Sequence, residues 1–218
     1  PEHTVISIAI SPSLSILNTD LDYCARQQPA LSLSITETPV DQMSLQSTQV
    51  LLRWSYDSEF VEDNQFVIGN ETLIPVVHPD NPISSMSYLD LKEIFEGAIT
   101  TWDQLTDNDL VGSIQVWVPS PSDEAWQLFS QAVLDDDRVF PGAWIAPLPA
   151  GMHSAVAEVP LAIGLLPSAW LDESVKTIRV TGADLAGLSH PILAVTADPP
   201  SDSLYELLIC LQDQIHGK

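Results

Sequence analysis

The chain opens on an apolar run, Thr4 to Ile10, closed by Ser11-Pro12-Ser13; a run of this length bounded by turn residues predicts a buried strand. Leu14, Leu17, Leu21 and Cys24 then recur three and four residues apart, which places them on one face of a helix. Pro12 suits a first helical turn, and Ser11 or Ser13 can cap its exposed N–H groups. Pro29 stops the helix. Leu31, Leu33 and Ile35 alternate with Ser32, Ser34 and Thr36, as along a half-buried strand. Strand, helix and strand with short links predict a right-handed parallel unit.

Further on, Met43 to Gln46 reads as a short helix and Val50 to Trp54 as an apolar strand. Asp57 to Asn64 is acidic and loop-like. Leu73 to Val77 is a strand broken by His78-Pro79-Asp80-Asn81-Pro82. Ser87 caps the next helix, with Asp90 three residues on, as in a capping box. Tyr88, Leu91, Ile94 and Phe95 form that helix's apolar stripe and Gly97 ends it. Ile114 to Val118 is a strand. Ser120-Pro121-Ser122-Asp123 leads into a helix with Trp126, Phe129 and Val133 on one face. Val139 to Pro149 is loop-like, Ser154 to Glu158 helical, and Leu161 to Leu166, Thr177 to Val180 and Ile192 to Thr196 are strands. Leu204, Leu207, Leu208, Leu211 and Ile215 mark a last amphipathic helix. Alternating strands and helices place the chain in the α/β class.

Charge narrows the partners. Seven Lys and Arg stand against 30 Asp and Glu, a net charge of −23. No basic footprint exists to displace counterions from nucleic-acid phosphates, and an anionic membrane surface would repel the chain. At 218 residues and 45% hydrophobic, it can build one large domain or two small lobes. No apolar run is long enough to span a membrane, and any export signal or lipid anchor would lie upstream of Pro1. The two cysteines, Cys24 and Cys210, have no zinc spacing and are open to forming one bridge.

The stretch Ile74 to Leu105 carries the most information: Asn81-Pro82, a capped helix with Leu91, Ile94-Phe95 and Gly97, then Ile99 and Trp102. This ordered set resembles the phosphate-binding (PstS-like) solute-binding proteins of ABC importers. Ala162-Ile163-Gly164 and His190-Pro191-Ile192-Leu193 resemble later segments of that family in the same order. The resemblance implies a two-lobed, type II periplasmic-binding-protein-like α/β fold with a cleft between lobes. The first lobe would be discontinuous, 1–72 and 174–218, and the second would be 73–173, with Cys24 and Cys210 together in the first. It implies an extracytoplasmic monomer that captures phosphate or a related oxyanion and hands it to a membrane permease. It implies no cofactor and no catalysis. The alternative is a sensor or surface interaction domain of the same fold with an altered or degenerate site.

Such proteins hold an oxyanion at helix N-termini, where free N–H groups and the positive dipole end face it. The candidates here are Ser11 and Ser13 before the first helix, Ser120 and Ser122 before the helix bearing Trp126, and Arg53 at a strand end, a bidentate fork for an oxyanion. Each also has a plainer role: the serines as caps, Arg53 as a surface ion pair. Trp54 and Trp144 either line a cleft or pack. Where the family has S-G-T, this chain has Ser120-Pro121-Ser122-Asp123-Glu124. Pro121 lacks an N–H, and two acids follow, so phosphate binding is expected to be weaker than with S-G-T. The family's acid near the third strand has no counterpart in Gln49 to Trp54.

Enzyme motifs are absent. His3, His78, His153, His190 and His216 show no metal-ligand spacing, and no nucleophile elbow, P-loop or dinucleotide fingerprint occurs. Asp107-Asn108-Asp109 begins like a calcium loop, but its twelfth position is Val118 rather than a bidentate Glu. Asp135-Asp136-Asp137 reads as a solvated helix end.

Overall fold

A computed structural model describes residues 3–55, 64–105, 109–134, 138–182 and 185–217. Residues 57–63 of the acidic stretch, Asp107-Asn108 of the calcium-like run and Asp135-Asp136-Asp137 lie outside the described residues. The chain divides into two compact units, one comprising 1–71, 122–124 and 190–218 and the other 72–121 and 125–189. Residues 174–189 thus cluster with the second unit and 122–124 with the first.

The first unit is built on β1 (Thr4–Ile10), α1 (Asn18–Arg26), β2 (Leu31–Glu37) and β3 (Val50–Trp54). β1 runs parallel to both β2 and β3, as the strand–helix–strand pattern predicts. β4 (Gln65–Val77) enters this unit with its first half and carries the chain into the second unit. Ile6, Ile8 and Ile10 of β1 are buried, as are Leu14, Leu21 and Cys24 behind them. The predicted helix after Ser11 is in fact two pieces. A 3-10 turn spans Pro12–Leu17 and α1 follows, so Pro12 opens the first piece at its N-terminus. Met43 to Gln46 is not helical: a 3-10 turn at Val40–Gln42 precedes it and Met43 is extended. Met43 and Leu45 instead lie against Ala9, Leu51, Leu193 and Val195, so burial of their side chains overrides local helix preference.

The second unit holds β5 (Ser85–Ser87), α2 (Tyr88–Glu96), β6 (Gln115–Pro119), α3 (Glu124–Val133, entering at Ala125), β7 (Trp144–Ala146), α4 (Pro149–Glu158), β8 (Ala162–Pro167), β9 (Lys176–Thr177) and β10 (Arg179–Thr181). Its sheet has the second half of β4 antiparallel to β8, β8 parallel to β6, and β6 parallel to β7. β9 pairs with β4 at Val76 and Val77, and β10 pairs with β5, which ties residues 176–181 into this unit. The loop expected over Val139 to Pro149 contains β7, an edge strand too short to show alternation. Met152 and Val156 of α4 pack with Val76, Ala162 and Leu166.

The chain returns to the first unit through β11 (Ser189–Thr196), antiparallel to β3, and ends in α5 (Asp202–His216). Leu204, Leu207, Leu208 and Leu211 are the buried stripe of α5. Cys24 on α1 and Cys210 on α5 form a disulfide with Cα atoms 5.7 Å apart. Both cysteines belong to the first unit. Among the described residues no helix is long and apolar enough to cross a membrane.

Candidate functional site

Four of the five predicted site residues, Ser11, Ser13, Arg53 and Ser122, lie in the first unit. β1 ends at Ile10, and the Ser11 N–H donates to the Leu52 carbonyl on β3 at 3.0 Å, which holds the first loop beside the end of that strand. Arg53 follows Leu52 on the face of β3 that also carries Leu51. Ser11, Ser13 and Arg53 are 0%, 1% and 3% exposed. Arg53 is therefore not a surface ion pair.

The brief return of the chain at 122–124 completes the cluster. The Val40 N–H donates to the Ser122 carbonyl at 3.2 Å and anchors the segment. The Ser13 hydroxyl donates to Asp123 Oδ1 at 2.5 Å. Ser11 is the residue before the 3-10 turn, but its side chain makes no capping bond there. The Ser13 hydroxyl thus bonds an acid 110 positions further along the chain. Ser122 is half-buried in the same segment, whereas Ser120 belongs to the second unit.

Asp123 and Glu124 are the residues whose burial the sequence did not lead one to expect. Read from the sequence as charges beside the site, they are buried, 3% and 0% exposed. A signal existed: Glu124 precedes Leu128 by four positions, which puts it on the apolar face of α3. Burial, and next the negative charge of Asp123, push the Glu124 carboxyl from 4.5 up to about 8. Its own backbone N–H, the Ser11 hydroxyl and the Arg53 charge pull it partly back. The Ser11 hydroxyl acts from nearby without good hydrogen-bond geometry. Ser11 Oγ and both Glu124 oxygens are buried with no hydrogen-bonding partner. Leaving such atoms unsatisfied costs about 1–3 kcal/mol each, so the cluster is suited to receive an outside partner.

A carboxyl pushed up in this way favours its protonated form, which can donate one hydrogen bond and accept others. Arg53 supplies positive charge and planar donors, and Ser11 a hydroxyl. Chemically this arrangement is able to hold a small anion that has a hydroxyl of its own. Arg53 also borders an open cavity of about 410 Å³ lined by Met43, Leu45, Leu51 and Ala197. Among the described residues no group of three or more His, Cys, Asp or Glu is placed to hold a metal ion.

Trp54 and Trp144 separate clearly. Trp54 is fully buried in the first unit, while Trp144 is 55% exposed in the second and stacks on Trp117 at 5.6 Å. A Ser, His and Asp also meet in the second unit. His153 Nε2 lies 3.0 Å from Asp172 Oδ1 and 3.2 Å from Ser174 Oγ. Because both partners share one ring nitrogen, the imidazole cannot take a proton from the serine while its other nitrogen faces the acid. The Ser174 hydroxyl and N–H donate to Asp172 Oδ1 at 2.5 and 2.8 Å and pull that carboxyl down to about 2; His153 adds to the effect. The group locks a turn.

Comparison with known proteins agrees with the fold. No curated protein matches the chain. Among solved structures it is similar to a chain described as a phosphate ABC transporter substrate-binding protein with bound phosphate, from Clostridium perfringens. The TM-score is 0.82 at 19% identity, covering 95% of this chain and 93% of that one. An ABC-type phosphate transport receptor from Vibrio cholerae gives a TM-score of 0.70 at 21% identity over 95% and 93% of the two chains. The regulatory domain of MetR, a LysR family regulator from N. meningitidis, gives 0.67 at 14% identity over 99% and 96%. A family model described as a PBP superfamily domain matches residues 57–212. With its mixed α/β architecture and two-lobed periplasmic-binding-protein fold, the chain belongs to the PBP superfamily.

Proposed function

We propose that this chain is an extracytoplasmic solute-binding protein that captures a protonated oxyanion of the phosphate type for an ABC-type importer. The observation that carries the reading is the buried cluster of Ser11, Ser13, Arg53, Asp123 and Glu124, with three polar atoms lacking partners. Arg53 and Ser11 donate to anionic oxygens. The carboxyl groups accept from an oxygen that still bears a proton. Sulfate, which carries no proton near neutral pH, has nothing to offer those acceptors. A monoanion suits the cluster better than a dianion, because Asp123 already places negative charge there.

Two solved chains described as phosphate transport binding proteins support the importer role. In that role the chain would act as a monomer and hand its ligand to a membrane permease. The Cys24–Cys210 disulfide supports an oxidising compartment. The same bond weighs against the second reading, a ligand-sensing domain, which the likeness to the MetR regulatory domain favours.

Calorimetry on ligand-free protein tests the proposal. Phosphate should bind at pH 6, more weakly than to a family member with S-G-T, and sulfate should not. Affinity should fall as pH rises past 8, when Glu124 ionises and adds a second negative charge beside the anion. Arg53→Ala should weaken phosphate about tenfold to a hundredfold, the equivalent of one charge-assisted hydrogen bond at about 1.5–3 kcal/mol. Equal binding of sulfate and phosphate would overturn the assignment of the acids.

A further inference from the structure

The oxyanion cluster does not end at Arg53. Leu51 and Arg53 stand two residues apart on one face of β3, and both line the cavity of about 410 Å³. Val40, another lining residue, donates its N–H to Ser122, so one wall of the cavity is bonded to the segment that carries Asp123 and Glu124. The cavity and the cluster therefore share Arg53 and a wall, all within the first unit.

Size and lining argue against a bare inorganic anion as the whole ligand. A tetrahedral oxyanion is equivalent to a few waters of about 30 Å³ each and would leave most of this volume unfilled. Small organic ligands occupy pockets of roughly 300–1,000 Å³. Met43, Leu45, Leu51 and Ala197 give the cavity an apolar wall, and Met43 can adapt its shape to a substituent. Among the described residues, Arg53 is the one charged residue in the lining.

We infer that the ligand is an organic oxyanion, a phosphonate or phosphate monoester, whose head group meets Arg53 and whose short apolar substituent lies against Met43, Leu45 and Leu51. This rests on the oxyanion reading given above and narrows it to a substrate class. An R–PO₃H⁻ head group keeps the single hydroxyl that the carboxyl groups accept from and replaces one oxygen by carbon or an ester link. That oxygen is the one pointing into the cavity.

The experiment is calorimetry at pH 6 with phosphate, methylphosphonate and butylphosphonate. Each added methylene should raise affinity about fourfold, ~0.8 kcal/mol per buried CH₂, so butyl should exceed methyl by roughly fifty-fold. Ala197→Phe, at an exposed lining position, and Leu45→Ala should each shrink the butyl-to-methyl ratio towards one. Phosphate binding with no gain from methyl to butyl would overturn the inference and leave the oxyanion reading standing. A gain that neither variant alters would place the substituent elsewhere and overturn it too. Failure of all three anions to bind would remove both.

Discussion

At the scale of single residues, Glu124 is the group whose chemistry departs furthest from its ordinary behaviour. In the unfolded chain it ionises near 4.5; in the folded, ligand-free chain it does so near about 8. Between those values the folded state holds a proton that the unfolded state lacks. Stability therefore falls as pH rises through that window and levels off above it. Glu124→Gln should remove this fall, an effect on the order of a few kcal/mol. Denaturant melts of both proteins from pH 5 to 9 would show it, and parallel pH profiles would refute it. Asp172 gives the opposite case. Its carboxyl is held down chiefly by the Ser174 hydroxyl and N–H, so Ser174→Ala should raise its pKa from about 2 towards 3.8, as read by NMR titration. An unmoved titration would mean that His153 sets it instead. Neither acid's state was legible in the sequence. Spacing puts Glu124 on an apolar helix face, but the cost of that burial depends on which distant groups come to face it.

Secondary-structure elements were more legible, because their signals are local. The Ser87–Asp90 capping box forms as its spacing predicts: Asp90 N–H donates to Ser87 Oγ at 3.0 Å and Ser87 N–H to Asp90 Oδ2 at 3.1 Å. Ser87→Ala should cost about 1 kcal/mol in denaturant melts. Gly97 closes the same helix in the left-handed region at φ 82°, and a Cβ there would strike the Phe140 ring. Elements failed where packing outvoted the local pattern, as at Met43 to Gln46, or where they are too short to carry a period, as at β7. The bridge between α1 and α5 joins residues 186 positions apart. A Cys24→Ser, Cys210→Ser double variant should lose about 2–5 kcal/mol, since closing a long loop removes much of the unfolded chain's freedom. An unchanged unfolding midpoint would contradict this.

For the whole molecule, charge dominates. With 30 acids against seven bases, the folded chain repels itself more than a balanced one would. Its melting temperature should rise as salt goes from about 0.01 to 1 M and the screening length falls from about 30 to about 3 Å. A melting temperature that stays flat or drops would show that the acids are spaced too widely to matter. Membership of the PBP superfamily was visible in the ordered run from Asn81-Pro82 to Trp102, and the α/β class in the alternation of periods. These depend on neighbours a few positions apart, and a helix or strand face is fixed by that spacing alone. The sequence also offered Ser11, Ser13 and Arg53 as candidates, but it left each with a bland role and set Asp123 and Glu124 against them. Tertiary structure decided what surrounds each of them. It returned three residues, 122–124, to the first unit, and so made Ser13 the partner of Asp123 and buried Glu124 among them. The reason is physical: a residue's period is set by its own stretch of backbone, whereas the meeting of two loops 110 positions apart is set by the packing of every element between them.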